Sequence, residues 1–218
     1  MKKIGLTVVL LLFFIGTVSG QLYSGFHTYN EDRKEKKLPT VKSYKTYMQS
    51  GHFISSISEN MESEFLQMSL FVLLTVFLYQ VGSSESKKLP GERTQNEIIE
   101  DIKENEYSKK KAKEYPFVWR LYENSLTLAL FSIFIFFFFF HAYGSLMLIN
   151  EQKNIFGEPL ITYWEVFSES KFWFESFQNW QSEFFSIAVL GLLSIFLRQK
   201  GSSQSKKMSD PLWKTGDN

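Results

Sequence analysis

Cysteine is absent from this chain, which excludes disulfides, thiolate metal ligands and thiol nucleophiles and leaves the redox compartment unspecified. Histidine is scarce: His27, His52 and His141 stand far apart, and no helical spacing pairs them with each other as ligands, so no zinc site is expected. An excess of one charge sign is missing too. With 24 Lys and Arg against 23 Asp and Glu the formal net charge is +1, which gives a nucleic-acid partner little support. Most telling is where charge is locally missing. The stretches Leu6 to Leu22, Phe65 to Val81, Leu126 to Ala142 and Phe184 to Leu197 hold no Asp, Glu, Lys or Arg, and a soluble core helix would carry a polar face.

A helix rises about 1.5 Å per residue and needs roughly 20 residues to cross a hydrocarbon core, with a lower limit near 17. The first three stretches reach that limit. The fourth is shorter, but Phe172, Trp173, Phe174, Phe177 and Trp180 precede it and predict an interfacial aromatic collar on an amphipathic helix. Four spanning helices are the expectation.

The chain also contains itself twice. Asn60-Met-Glu-Ser63-Glu64-Phe65 returns as Asn179-Trp-Gln-Ser182-Glu183-Phe184, and Gly82-Ser-Ser-Glu-Ser-Lys-Lys88 returns as Gly201-Ser-Ser-Gln-Ser-Lys-Lys207, both 119 residues on. Leu6-Thr7, Asn30-Glu31 and Pro39 find Leu126-Thr127, Asn150-Glu151 and Pro159 at 120 residues. A duplicated unit therefore organises the sequence. It predicts a first repeat over 1–88, a charged linker over 89–120, a second repeat over 121–207 and a polar tail over 208–218. Two crossings per unit make the copies parallel, related by a pseudo-two-fold axis along the membrane normal.

Lys2-Lys3, an apolar middle and Val18-Ser19-Gly20 before Gln21 also fit a cleavable signal peptide. The counterpart of this helix, Leu126 to Ala142, lies mid-chain where no signal peptide can be, so retention of the first helix is expected. Basic residues set the orientation. The N-terminus, the linker and the tail together hold sixteen Lys and Arg, against eight in the two segments of about forty residues after the first and third spans. Both termini are therefore expected in the cytoplasm of a multi-pass cell-membrane protein. Within the linker, Thr94 predicts the cap of a short helix that is acidic early and lysine-rich late.

Motifs for chemistry are few. Gly82-Ser-Ser-Glu-Ser-Lys-Lys lacks the second glycine of a phosphate-binding loop and follows a membrane helix rather than a strand. No nucleophile and base can be placed together, so no enzyme, cofactor or metal is expected. Phe136 to Phe140 covers every side of its helix and reads as lipid-facing. Trp173, Phe177, Trp180 and Phe184 form a stripe at helical spacing, with Ile54, Ser58, Met61 and Phe65 as counterparts. Beside it stand the candidate polar residues Asn60, Ser63 and Glu64, repeated as Asn179, Ser182 and Glu183. The preferred reading is that they suit the outer boundary of each second helix. The alternative brings Glu64 and Glu183 together across the pseudo-axis as a cation or proton site.

Ser50-Gly-His-Phe53, Asn60 to Phe65, Thr75 to Leu78, Gly82 to Lys87, Leu121 to Leu126, Phe172 to Phe184 and Ser194 to Gln199 together resemble an uncharacterised family of bacterial membrane proteins, one of the domain-of-unknown-function groups. The resemblance covers nearly the whole chain and is weakest in the linker. It implies a bacterial inner-membrane location and a retained first helix, and it carries no activity, substrate or catalytic residue. The expectation is an all-α, four-span duplicated membrane protein that is a non-enzymatic structural or partner-binding component. Its partners would be the lipid bilayer and a second copy or another membrane protein. A small transporter or channel is the second reading, weakened because the spans hold few polar groups, chiefly Thr75, Ser132 and Ser194.

Overall fold

A computed structural model describes residues 4–80, 113–200 and 202. Among them the regular elements are all helical: α1 (Gly5–Glu35), α2 (Tyr44–Met48), α3 (Gly51–Phe77), α4 (Pro116–Glu123), α5 (Ser125–Phe156), a 3-10 turn (Trp164–Ser168) and α6 (Ser170–Phe196). The linker helix expected from Thr94, the two Gly-Ser-Ser strings apart from Ser202, and the polar tail lie outside the described residues.

Helices α1 and α5 are long and apolar enough to cross a membrane. Their 31 and 32 residues correspond to about 46 and 48 Å, well beyond a hydrocarbon core of about 30 Å. Each continues as helix past its apolar run, so the segments that the sequence presents as outer loops are in large part helical. Both helices stop in the same way. Lys37 (φ 55°) and Gly157 (φ 69°) adopt the left-handed conformation. The amide of the next residue then reaches back to the helix, Leu38 N to Arg33 O at 2.7 Å and Glu158 N to Lys153 O at 2.9 Å. Such a turn satisfies carbonyls the helix end would leave bare.

After each stop, an asparagine inside the helix clasps the returning chain. Asn30 Nδ2 donates to Val41 O at 3.0 Å and Val41 N to Asn30 Oδ1 at 2.7 Å; Asn150 Nδ2 donates to Ile161 O at 3.0 Å and Ile161 N to Asn150 Oδ1 at 2.9 Å. A hydroxyl residue precedes the following element in both places, but only the first caps it. Ser43 Oγ accepts from Lys45 N at 3.2 Å, while Thr162 N and Oγ1 donate to Glu165 Oε2 at 2.6 and 2.8 Å. Those bonds, the backbone one first, hold the Glu165 carboxyl below its usual range.

The chain forms two compact units, Met1–Asn60 with Phe137–Glu175 and Met61–Phe136 with Ser176–Asn218. In the first, Tyr29, Tyr47 and Phe53 form one apolar cluster and Ala142, Val166 and Phe172 another. Helices α3 and α5 approach backbone to backbone there. A methyl group on Gly144 would collide with Ser55 N and Cα, and one on Gly51 would lie 2.5 Å from Leu148 N. Close approach lets Ser55 Oγ and Ser145 Oγ hydrogen-bond at 3.1 Å across the crossing, which residues as small as these permit.

The aromatic segment 172–180 is the first half of α6 rather than a separate interfacial helix. Its members divide by environment. Phe172 is fully buried against Val166 and Ala142, whereas Phe174 and Phe177 are exposed. The phenylalanine run divides similarly: Phe138 packs on the Ala142 cluster, while Phe136 and Phe139 are exposed. The aromatic segment is therefore not a uniform collar and the phenylalanine run is not lipid-facing on every side, because each helix has one face against protein.

In the second unit, α3 buries a polar face. Glu62, Ser63, Gln67 and Ser69 are buried beside Leu66. Trp180 Nε1 donates to Glu62 Oε1 at 2.9 Å, and Phe134 meets Trp180 edge to face at 6.5 Å. A buried carboxylate needs donors of this kind to offset lost hydration.

Candidate functional site

A grouping of ionisable side chains with metal-ligand character lies in the first unit, where three helices each contribute one residue. His141 on α5 is one turn below Ser145 and is fully buried, its ring 4.7 Å from that of Phe172. Nε2 lies 3.8 Å from Glu59 Oε2 on α3 and 3.7 Å from Glu175 Oε2 on α6. The glycine crossing brings these residues to one level. Antiparallel helices that pair Ser55 with Ser145 place residues one turn further along α3 beside residues one turn back on α5. Both carboxylates keep about a quarter of their side-chain surface exposed, at 23% and 24%. Lys171 Nζ stands 3.7 Å from Glu175 Oε1, one helical turn away. Two carboxylate oxygens flanking one imidazole nitrogen suit either a proton held as imidazolium or a cation shared by all three groups.

A second polar network ties α1 to α5. Arg33 Nη1 pairs with Glu151 Oε1, Tyr29 OH donates to Glu151 Oε2 at 2.8 Å, and Arg33 Nε donates to Pro39 O at 2.6 Å. Beside it, Tyr47 OH and His52 Nδ1 are 3.0 Å apart. Burial, followed by the neighbouring Tyr29, pushes the Tyr47 phenol up to about 12, so Tyr47 keeps its proton. Burial also lowers the His52 pKa.

The residues singled out in the sequence are placed differently from this cluster. Asn60 is exposed and donates to Ser56 O in its own helix at 2.8 Å, Ser182 donates to Asn179 O at 2.8 Å, and Ser63 is buried. Glu64 is exposed and Glu183 half-buried. Burial raises the Glu183 pKa first, and repulsion from Glu64 adds to it, so these two carboxylates lie within electrostatic reach of each other. Thr75, Ser132 and Ser194 each return their hydroxyl to a carbonyl of their own helix, at 2.8, 2.7 and 3.0 Å.

Glu59, Glu62, His141 and Glu175 escaped sequence reasoning. The neighbours of His141 come from two other helices at no fixed spacing along the chain. Duplication offers a partial signal: at the offsets of the repeat His141 and Glu175 correspond to Gln21 and Ser56. That pair is also in contact, Gln21 Nε2 donating to Ser56 Oγ at 2.9 Å.

Residues 1–217 match a family described as a domain of unknown function, DUF6766, and the chain belongs to it. No curated protein and no solved structure matches the chain.

Proposed function

We propose that this member of the DUF6766 family is a four-span membrane protein, made of two parallel copies of a two-helix unit, that serves as a non-enzymatic structural or partner-binding component. The carrying observation is the inner half of α1. Every residue from Leu6 to Thr17 is exposed, and none of the apolar window of this helix is buried within the chain. An apolar surface of that length is matched by lipid or by another apolar helix. Support for duplication comes from α3 and α6, whose first and last residues are 119 apart, and from the two asparagine clasps and left-handed helix stops 120 apart. Helix α1 also runs unbroken through Ser19 to Gln21, in keeping with its retention.

Membrane fractions washed with alkaline carbonate should keep the protein in the bilayer. A cysteine at Leu11 or Phe13, oxidised in native membranes, should give a covalent dimer if a second copy covers α1, or a mixed adduct if another membrane protein does. Release by carbonate would refute the membrane reading. A cysteine scan of α1 that yields only unlinked protein would assign this face to lipid and remove the partner.

Transport is a second reading, favoured by the buried polar face of α3 from Glu62 to Ser69. Ion flux through liposomes containing the purified protein, lost on Glu62→Gln, would favour it over the structural role.

A further inference from the structure

We propose that Glu59, His141 and Glu175 form a binding site for a divalent transition-metal ion of the zinc type. One candidate donor atom from each residue lies within 4.8 Å of the other two. In a tetrahedral site with bonds of about 2.1 Å, adjacent donors are about 3.4 Å apart. The two separations from Nε2, 3.8 Å to Glu59 and 3.7 Å to Glu175, need a few tenths of an ångström of adjustment, and the two carboxylate oxygens, within 4.8 Å of each other, close by rotation of the glutamate side chains. Imidazole with two carboxylates is a donor set for zinc-type ions rather than for calcium or magnesium, which take oxygen ligands throughout.

The three donors are held by separate helices, and His141 is fixed by complete burial against Phe172, so the site is assembled before any ion arrives. The exposed edges of the two carboxylates leave a fourth position open to water or to a ligand atom from a partner. A second feature stands one residue from the cluster. Ser58, the residue before Glu59 and opposite Ala142 in the register that pairs Ser55 with Ser145, is fully buried with no hydrogen-bond partner for its Oγ. A buried hydroxyl left in that condition is costly, and a metal-bound water would supply a donor. Lys171, half-exposed beside Glu175, is free in length and position to swing outward as the ion's charge replaces its own. This site is independent of the number of spans.

Titration of the full chain in detergent micelles with Zn2+, followed by calorimetry and by Co2+ absorption, tests the proposal. The expected result is one Zn2+ per chain, with Co2+ giving the intense visible bands of a tetrahedral site. Glu59→Gln and Glu175→Gln, at partly exposed positions where the fold should survive by circular dichroism, should each weaken binding at least about tenfold. His27→Gln, at an exposed position, should leave it unchanged, and excess Mg2+ should not displace the ion. Absence of stoichiometric Zn2+ binding, or equal binding by both glutamine variants, would overturn the site. So would an imidazole NMR signal showing His141 as imidazolium at neutral pH and unmoved by Zn2+, which would make the cluster a proton clamp.

Discussion

At His52 the cost of burying charge sets a pH dependence. Its pKa is lowered from 6.5, chiefly by burial, so the folded chain binds fewer protons there than the unfolded one. The stability this contributes is present above pH 6.5 and is lost as pH falls below it. Thermal unfolding in detergent should therefore show a midpoint that drops between pH 7 and pH 5, and His52→Gln should flatten that part of the profile. Glu183 works in the other direction. Its raised pKa means that its contribution is greatest below the ordinary carboxylate range and is lost as pH rises. At pH 7 Glu183→Gln should raise the unfolding midpoint, and by less once Glu64→Gln has removed the repulsion. The double variant should depart from additivity by more than about 0.5 kcal/mol, and strict additivity would show the two carboxylates to be independent. Both glutamates were legible in the sequence because their strings repeat. Glu62 was not, since its repeat counterpart is Gln181 and nothing in one sequence marks which glutamate of three on a helix turns inward.

Among the elements, the crossing of α3 and α5 has the least tolerance. Gly144 faces the backbone of Ser55 and Gly51 faces that of Leu148, so neither neighbour can yield by rotating a side chain. Gly144→Val should force the helices apart, break the Ser55–Ser145 bond and cost about 1 to 3 kcal/mol, read as a lower unfolding midpoint with helix content retained. Gly16→Val, where no atom lies within 4 Å of an added Cβ, is the control and should leave the midpoint unchanged. The sequence displays Gly16-Thr-Val-Ser-Gly20 as the small-residue motif, yet the close contact uses two single glycines on different helices. Motifs along one chain segment report one face of one helix. A pairing across helices depends on the register between segments far apart in the chain, which no local motif records. The long helices themselves were legible from the apolar runs, and their continuation beyond those runs was not, because polar residues end the hydrophobic signal without ending the helix.

At the scale of the molecule, two helices are apolar through their spans, α1 and α5, and two, α3 and α6, carry their charged residues only as far as Glu64 and Glu183, ahead of their apolar runs. The latter pair, 27 residues each, are long enough to span but not apolar enough over their described residues, and the proposal that they span rests on the repeat and on the runs Phe65 to Val81 and Phe184 to Leu197. On the proposed four-span arrangement, the lysine and arginine counts would place both termini in the cytoplasm. The absence of cysteine makes this directly measurable. Single cysteines at Ser43, Thr162, Ser108 and Ser209, probed in intact cells with an impermeant thiol reagent, report the side of each segment independently. The account predicts labelling at Ser43→Cys and Thr162→Cys, and at Ser108→Cys and Ser209→Cys only after the membrane is permeabilised. Labelling of Ser108→Cys in intact cells, or opposite sides for Ser43→Cys and Thr162→Cys, would contradict it.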